Sequence, residues 1–231
     1  MKLKKVTQIS KPAKSRWYDD ACGTALAMEL VGERWSLLIV RELMFGGRRF
    51  NELKANLLGI SANSLTQRLE GLEASGILVR RKLPPPASVQ IYELTPWGYE
   101  SEVAIQELGR WATRSPAHDP TLPLSAASLM LSFRTMFSAE RAGGLEAAIG
   151  FRLGAETFLA KVGDGGIAIR RAELADADLV FDSDPMTIAS IVYGGRPIAD
   201  AEAAGALVVS GDRDLAERYV TLFPLPPKTG G

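Results

Sequence analysis

Three prolines in nine residues, Pro116, Pro120 and Pro123 within Ser115–Pro123, constrain this chain more than any other feature. Proline donates no backbone hydrogen bond and fixes φ, so neither a helix nor a central strand runs through such a segment. The spacing therefore predicts two folded parts, residues 20–114 and 124–225, joined by a linker at 115–123. A basic arm at 1–19 and a short tail at 226–231 flank them. Charge divides at the same place: residues 1–115 hold 17 Lys/Arg and 12 Asp/Glu, residues 116–231 hold 10 and 15. A basic first part and an acidic second part point to different partners.

Within the first part, the stretch Ser61–Gly76 predicts a capped amphipathic helix. Ser61 is placed to accept from the free N–H groups of the first turn, and Ile60 with Leu65 bracket it as a hydrophobic staple. Gly76 is a stop. Leu65, Leu69 and Leu72 share one stripe, which turns Asn63 and Gln67 the other way, with Ser64 and Thr66 beside them. Ahead of it, Phe50–Leu57 predicts a short helix and Leu58-Gly59-Ile60 a turn, so the pair reads as a helix-turn-helix. Two earlier helical patterns carry Ala25, Met28, Leu30 and Val31, then Trp35, Leu38, Ile39, Leu43 and Met44, with Gly32 between. After it, Ile77–Leu83 and Val89–Thr95 are β-rich runs joined by Pro84-Pro85-Pro86-Ala87-Ser88, a wing. Thr95-Pro96 then starts a helix with Val103, Leu108, Trp111 and Ala112 as apolar positions.

The second part predicts a helix from Leu124 to about Ser138, with Ala126, Met130, Phe133 and Phe137 in one stripe. Alternating runs around Phe151, Phe158, Ile167 and Leu179 predict four antiparallel strands with one face buried. Asp184-Pro185 caps a helix that Gly194 ends, Ala206–Val209 is a fifth strand, and a last helix aligns Leu215, Tyr219 and Leu222. The fold class is α+β.

Several classes are excluded. Cys22, the one cysteine, permits no internal disulfide and fits a reducing cytosol. Neither a signal peptide nor an apolar run of membrane-spanning length occurs, which predicts a cytoplasmic protein without membrane contact. His118 lies in the linker with no second histidine or cysteine to build a metal site or a nucleophile–base pair. Gly163-Asp164-Gly165-Gly166 is a hairpin turn, since no Lys-Ser/Thr follows as in a phosphate loop. The expectation is a non-enzyme without cofactor or metal.

Cys22-Gly23, Gly32-Glu33-Arg34-Trp35, Arg41-Glu42-Leu43, Arg49-Phe50-Asn51-Glu52-Leu53, Gly59-Ile60-Ser61, Leu65-Thr66-Gln67-Arg68-Leu69 and Tyr92-Glu93-Leu94-Thr95-Pro96 occur in order. Together they resemble the HxlR-type winged helix-turn-helix regulators, a branch of the MarR-like group. The resemblance covers roughly residues 20–115. It implies a homodimeric regulator of transcription, with helices near 21–31 and 97–113 forming the dimer interface. Two copies of the 61–76 helix then enter successive major grooves of a palindromic operator, with half-sites about 10 bp apart. Ser61, Asn63, Ser64, Thr66 and Gln67 are the expected contacts to base edges or phosphates, Asn and Gln suiting adenine. Arg68, at the flank of the apolar stripe, is assigned to a phosphate or an internal ion pair rather than to a base. Arg80, Arg81 and Lys82 are either phosphate contacts or a solvated strand face. Ala87-Ser88-Val89 stands where the family usually carries a proline pair and an arginine, so the wing tip lacks that arginine. The resemblance also implies that some relatives use a cysteine at the position of Cys22 as a thiol sensor of electrophiles or oxidants, and a helix N-terminus favours the thiolate. Here Gly23 replaces the family's common proline, and a small residue buried at the dimer interface is the plainer reading of Cys22.

The element order of the second part, with Asp178-Leu179-Val180-Phe181, Gly194-Gly195 and Ala206-Leu207-Val208-Val209-Ser210-Gly211-Asp212, is similar to the sterol-carrier-protein (lipid-transfer) family over residues 124–223. That resemblance implies an apolar cavity between sheet and helices, with Met130, Phe133, Phe137, Ile188, Val192, Leu215 and Tyr219 as candidate lining. The same seven residues also read as plain core. The expectation is a regulator controlled by a small hydrophobic effector, or else by thiol chemistry at Cys22. The alternative is a lipid or hydrophobic-ligand carrier whose winged helix serves protein contacts.

Overall fold

The computed structural model describes residues 18–230, so most of the basic arm expected at 1–19 lies outside the described residues. Four helices open the chain: α1 (Gly23–Val31), α2 (Ser36–Leu43), α3 (Phe50–Asn56) and α4 (Ala62–Ala74). Helix α4 starts and stops where its residues dictate. The Ser61 hydroxyl accepts from the Ser64 N–H at 3.0 Å, and beyond the C-terminus Gly76 takes the left-handed φ of +73° that glycine adopts at least cost. Leu65, Leu69 and Leu72 are all buried.

The wing is the antiparallel pair β1 (Leu78–Lys82) and β2 (Gln90–Leu94), with Arg80 opposite Tyr92. Arg48 adds a third rung by exchanging two 2.8 Å backbone hydrogen bonds with Tyr92. The single helix expected after Thr95 divides into α5 (Pro96–Glu100) and α6 (Glu102–Ala112) at Ser101. There the Ser101 hydroxyl donates back to the Gly98 carbonyl at 2.7 Å, a local bond that competes with the helical pattern.

The second part contains α7 (Ala126–Met136), α8 (Ala139–Ala142), β3 (Ala147–Leu153), β4 (Glu156–Gly163), β5 (Gly166–Arg171), β6 (Leu179–Ser183), α9 (Pro185–Val192), α10 (Ile198–Ala203), β7 (Leu207–Gly211) and α11 (Arg213–Tyr219). Five strands form one sheet in the order β5-β4-β3-β6-β7. The expectation of all-antiparallel pairing is corrected at one place, because β3 and β6 run parallel. The connection 172–178 passes over β3 instead of turning back beside β5. Gly150 makes room for it: an added Cβ would lie 3.2 Å from both Leu174 and Ala177. Asp178 then fastens the crossover, its carboxylate accepting from the Ala148 N–H at 2.8 Å. The core under this sheet is aromatic, with Phe133 stacked on Phe223 at 4.4 Å and Phe151 on Phe181 at 5.5 Å.

The two parts pack directly on one another, with α7 lying against α2 and α6. Polar links cross the junction as well. Arg134 donates to both carboxylate oxygens of Glu102 at 2.8 and 2.9 Å. Arg48 and Arg171 both pair with the carboxylate of Glu156, and Arg171 also donates to the Phe45 carbonyl at 2.6 Å. Burial, with each arginine's neighbours a smaller influence, lowers the pKa of both guanidiniums to about 10.

Candidate nucleic-acid interface

Along α4 the buried leucine stripe forces the remaining side chains outward, and Asn63, Thr66 and Gln67 are exposed. Among the described residues these three make no side-chain hydrogen bond, whereas Ser61 and Ser64 bond each other at 2.8 Å. The serines thus help to start the helix, and the Asn63, Thr66 and Gln67 side chains carry no internal partner among the described residues. Arg68 forms the internal ion pair, reaching Glu33 at 2.6 Å and tying α4 to the segment between α1 and α2.

On the wing, Arg80 pairs with Glu73 at 2.7 Å and lies 5.6 Å above the Tyr92 ring. Hydrogen bonding to Glu73 raises its pKa further. Arg81 pairs with Glu93 at 2.5 Å, while Lys82 is exposed with no ion pair among the described residues. Exposed pairs of this kind contribute little, about 0–1 kcal/mol, so a phosphate can replace either carboxylate at low cost.

Helices α1 and α6 contain no buried residue. On α6 this leaves Val103 68% and Trp111 73% exposed, and on α1 Leu26 and Met28 are also uncovered. Cys22 is exposed on the single chain immediately before α1. The Thr24 backbone N–H, then its hydroxyl and the Ala25 N–H, lower the thiol pKa from its ordinary value.

The seven residues expected around a cavity in the second part are packed. Met130, Phe133, Ile188 and Tyr219 are buried core, and Phe137, Val192 and Leu215 pack against it. Burial also raises the Tyr219 phenol pKa well above its usual value. A cleft of about 760 Å³ lies instead at the junction of the two parts, between α2, α6, the linker, α7 and α9, and none of the seven lines it. Its α6 wall, Ile105, Leu108, Gly109 and Ala112, follows i, i+3, i+4, i+7 spacing. That second stripe on α6 was legible in the sequence, but only the fold shows what it faces. Among the described residues no His/Cys/Asp/Glu group is placed to hold a metal ion, and no helix is long and apolar enough to cross a membrane.

The sequence model of the HxlR-like helix-turn-helix family matches residues 30–119. The chain is 38% identical over 88 residues to the uncharacterized HTH-type transcriptional regulator YvaP of Bacillus subtilis, covering 38% of this chain and 81% of that protein. It belongs to the HxlR-like helix-turn-helix family. A second relative, the HTH-type transcriptional regulator YodB of Bacillus subtilis, is 38% identical over 86 residues, 37% of this chain and 77% of that protein. The solved reduced form of YodB is 35% identical, covers 42% of this chain and 98% of that one, and superposes with a TM-score of 0.39. The family match takes in the helix-turn-helix, the wing and α6, and it stops inside the linker. Helices α7 to α11 and the five-stranded sheet lie beyond it.

Proposed function

We propose that the chain is a dimeric, DNA-binding regulator of transcription whose second part, a sterol-carrier-like module, makes it responsive to a small hydrophobic effector. The observation that carries the DNA reading is the outer face of α4, where Asn63, Thr66 and Gln67 stand exposed and uncommitted next to a basic wing. Amide side chains there discriminate adenine by about 1–3 kcal/mol per bidentate contact. Arg80, Arg81 and Lys82 add sequence-independent phosphate contacts that weaken with salt. The uncovered apolar residues of α1 and α6 supply the dimer face, and two-fold symmetry makes the operator a palindrome. Gel shifts on DNA upstream of the protein's own operon, across salt concentrations, test this reading. Sequence-specific retardation that weakens steeply with salt supports it; no retardation of any fragment overturns it.

A second mode of control rests on Cys22. Its exposure and lowered pKa suit oxidation or alkylation by an electrophile. Release of DNA on diamide treatment, abolished in Cys22→Ser, is the expected outcome.

A further inference from the structure

We propose that the junction cleft is the site for an uncharged hydrophobic small molecule, and that its occupancy reaches the DNA-reading helix through α2. This deepens the reading of the chain as an effector-controlled regulator and rests on it.

At about 760 Å³ the cleft falls within the range of roughly 300–1,000 Å³ usual for small-molecule sites, which favour the seams between domains. Its walls are mostly aliphatic: Leu37 and Leu38 of α2, Ile105 and Leu108 of α6, Leu122 of the linker and Leu131 of α7. The polar groups among them are largely spent on the protein itself. Thr113, Thr135 and Ser190 donate to carbonyls of their own helices at 2.9, 2.7 and 2.7 Å. Ser132 and the Tyr193 hydroxyl bond each other.

The charged groups are engaged too. Arg41 donates twice to Glu42, at 3.2 and 2.9 Å. Asp119 accepts from the Thr121 hydroxyl at 2.6 Å, and His118 Nδ1 faces Lys228 Nζ at 3.3 Å. A charged ligand would surrender its hydration for partners already taken, whereas an apolar one loses nothing by entering. The chemistry of the lining thus selects an uncharged aliphatic or aromatic molecule.

Helix α2 forms one wall of this cleft and packs on its other side against α4. Glu42, next to Arg41, also holds the Asn56 side chain at the end of α3, at 3.0 Å. A ligand that binds one setting of α2 better than another shifts the reading helix by that difference in affinity.

Gly109 provides the test, because a Cβ added there meets no atom within 4 Å and replacing glycine inside a helix relieves its entropic cost. Gly109→Trp therefore fills the cleft from α6 without a clash at Cβ, and Ser190→Phe fills it from α9. The uncharged dye Nile red is titrated into the full chain and both variants, with far-UV circular dichroism to establish folding. Saturable binding by the parent, weakened at least tenfold in each folded variant, is the expected result. No saturable binding, or equal binding by parent and folded variants, overturns the cleft as a site. Gel shifts on the same samples separate the two claims. DNA retardation without dye binding removes the cleft and leaves the regulator, whereas cleft-dependent dye binding without retardation leaves the site and removes the regulator.

Discussion

The Ser125 hydroxyl, one residue before α7, donates at 2.6 Å to the carboxylate of Glu42, a residue of α2 with no exposed surface. Glu42 also accepts from Arg41 and Asn56, so one buried carboxylate joins the helix-turn-helix to the part that follows the linker. Such a group is held in an apolar interior only while its hydrogen bonds are made.

Glu42→Ala is expected to destabilise the chain by about 3 kcal/mol, since hydrogen bonds to a charged group are each stronger than neutral ones and three donors lose their acceptor. Urea denaturation followed by tryptophan fluorescence and by circular dichroism measures it. An unchanged midpoint would deny Glu42 its joining role.

Glu156 presents the opposite case, a single carboxylate facing two guanidiniums. Glu156→Gln leaves the buried Arg48 and the half-buried Arg171 without their counter-charge, and a loss of about 3 kcal/mol is expected near neutral pH. Both folded pKa values, at about 10, lie below the ordinary arginine value. The unfolded state therefore holds these protons more tightly, so the parent gains stability only as pH rises through about 10, whereas the variant, its guanidiniums deprived of the carboxylate, gains it from a lower pH and the difference between the two narrows. Comparing the urea midpoints of parent and variant at neutral pH and above pH 10 checks both the size and the sign.

How far the sequence discloses this molecule depends on whether the deciding interaction is local. Helix α4 was readable because its cap, stripe and stop lie within sixteen residues, and the wing because β1 and β2 adjoin. The parallel β3–β6 pair was not, since it depends on Gly150 letting a distant crossover pass. Helix α10 escaped because Ile198 and Ala201 are its two buried residues, too few to give a period. Of the apolar positions of α1, Leu30 and Val31 pack against the core, whereas Leu26 and Met28 stay exposed. The cleft was missed because its walls come from six segments, Leu225 after α11 among them, and its α6 stripe looks like ordinary core until α2 and α7 stand opposite.

At the candidate interface, Asn63→Ala and Gln67→Ala are each expected to cost about 1–3 kcal/mol of sequence discrimination while leaving folding stability unchanged. Arg81→Ala is expected to weaken binding uniformly across sequences and to reduce the salt slope by about one. Gel shifts against operator variants at several salt concentrations distinguish these patterns. A Gln67→Ala variant with the specificity of the parent would remove that residue from the reading face.

Trp111 is the most exposed large apolar side chain on α6. If α1 and α6 form the dimer face, Trp111→Glu places a charge where apolar surface is to be buried, and dimers give way to monomers with specific DNA affinity lost. Sedimentation velocity measures the first effect and gel shifts the second. A variant that remains dimeric moves the interface elsewhere.

Cys22 yields a prediction about rate. Only the thiolate attacks an alkylating agent, and the N–H and hydroxyl of Thr24 with the N–H of Ala25 favour the thiolate. The pH at which iodoacetamide labelling reaches half its maximal rate should thus be lower in the folded chain than after denaturation in urea, where the thiol reverts to about 8.5. Labelling followed by mass spectrometry across pH measures both midpoints. Coincident midpoints would mean that the start of α1 does not activate the thiol, and the redox mode of control would lose its physical basis.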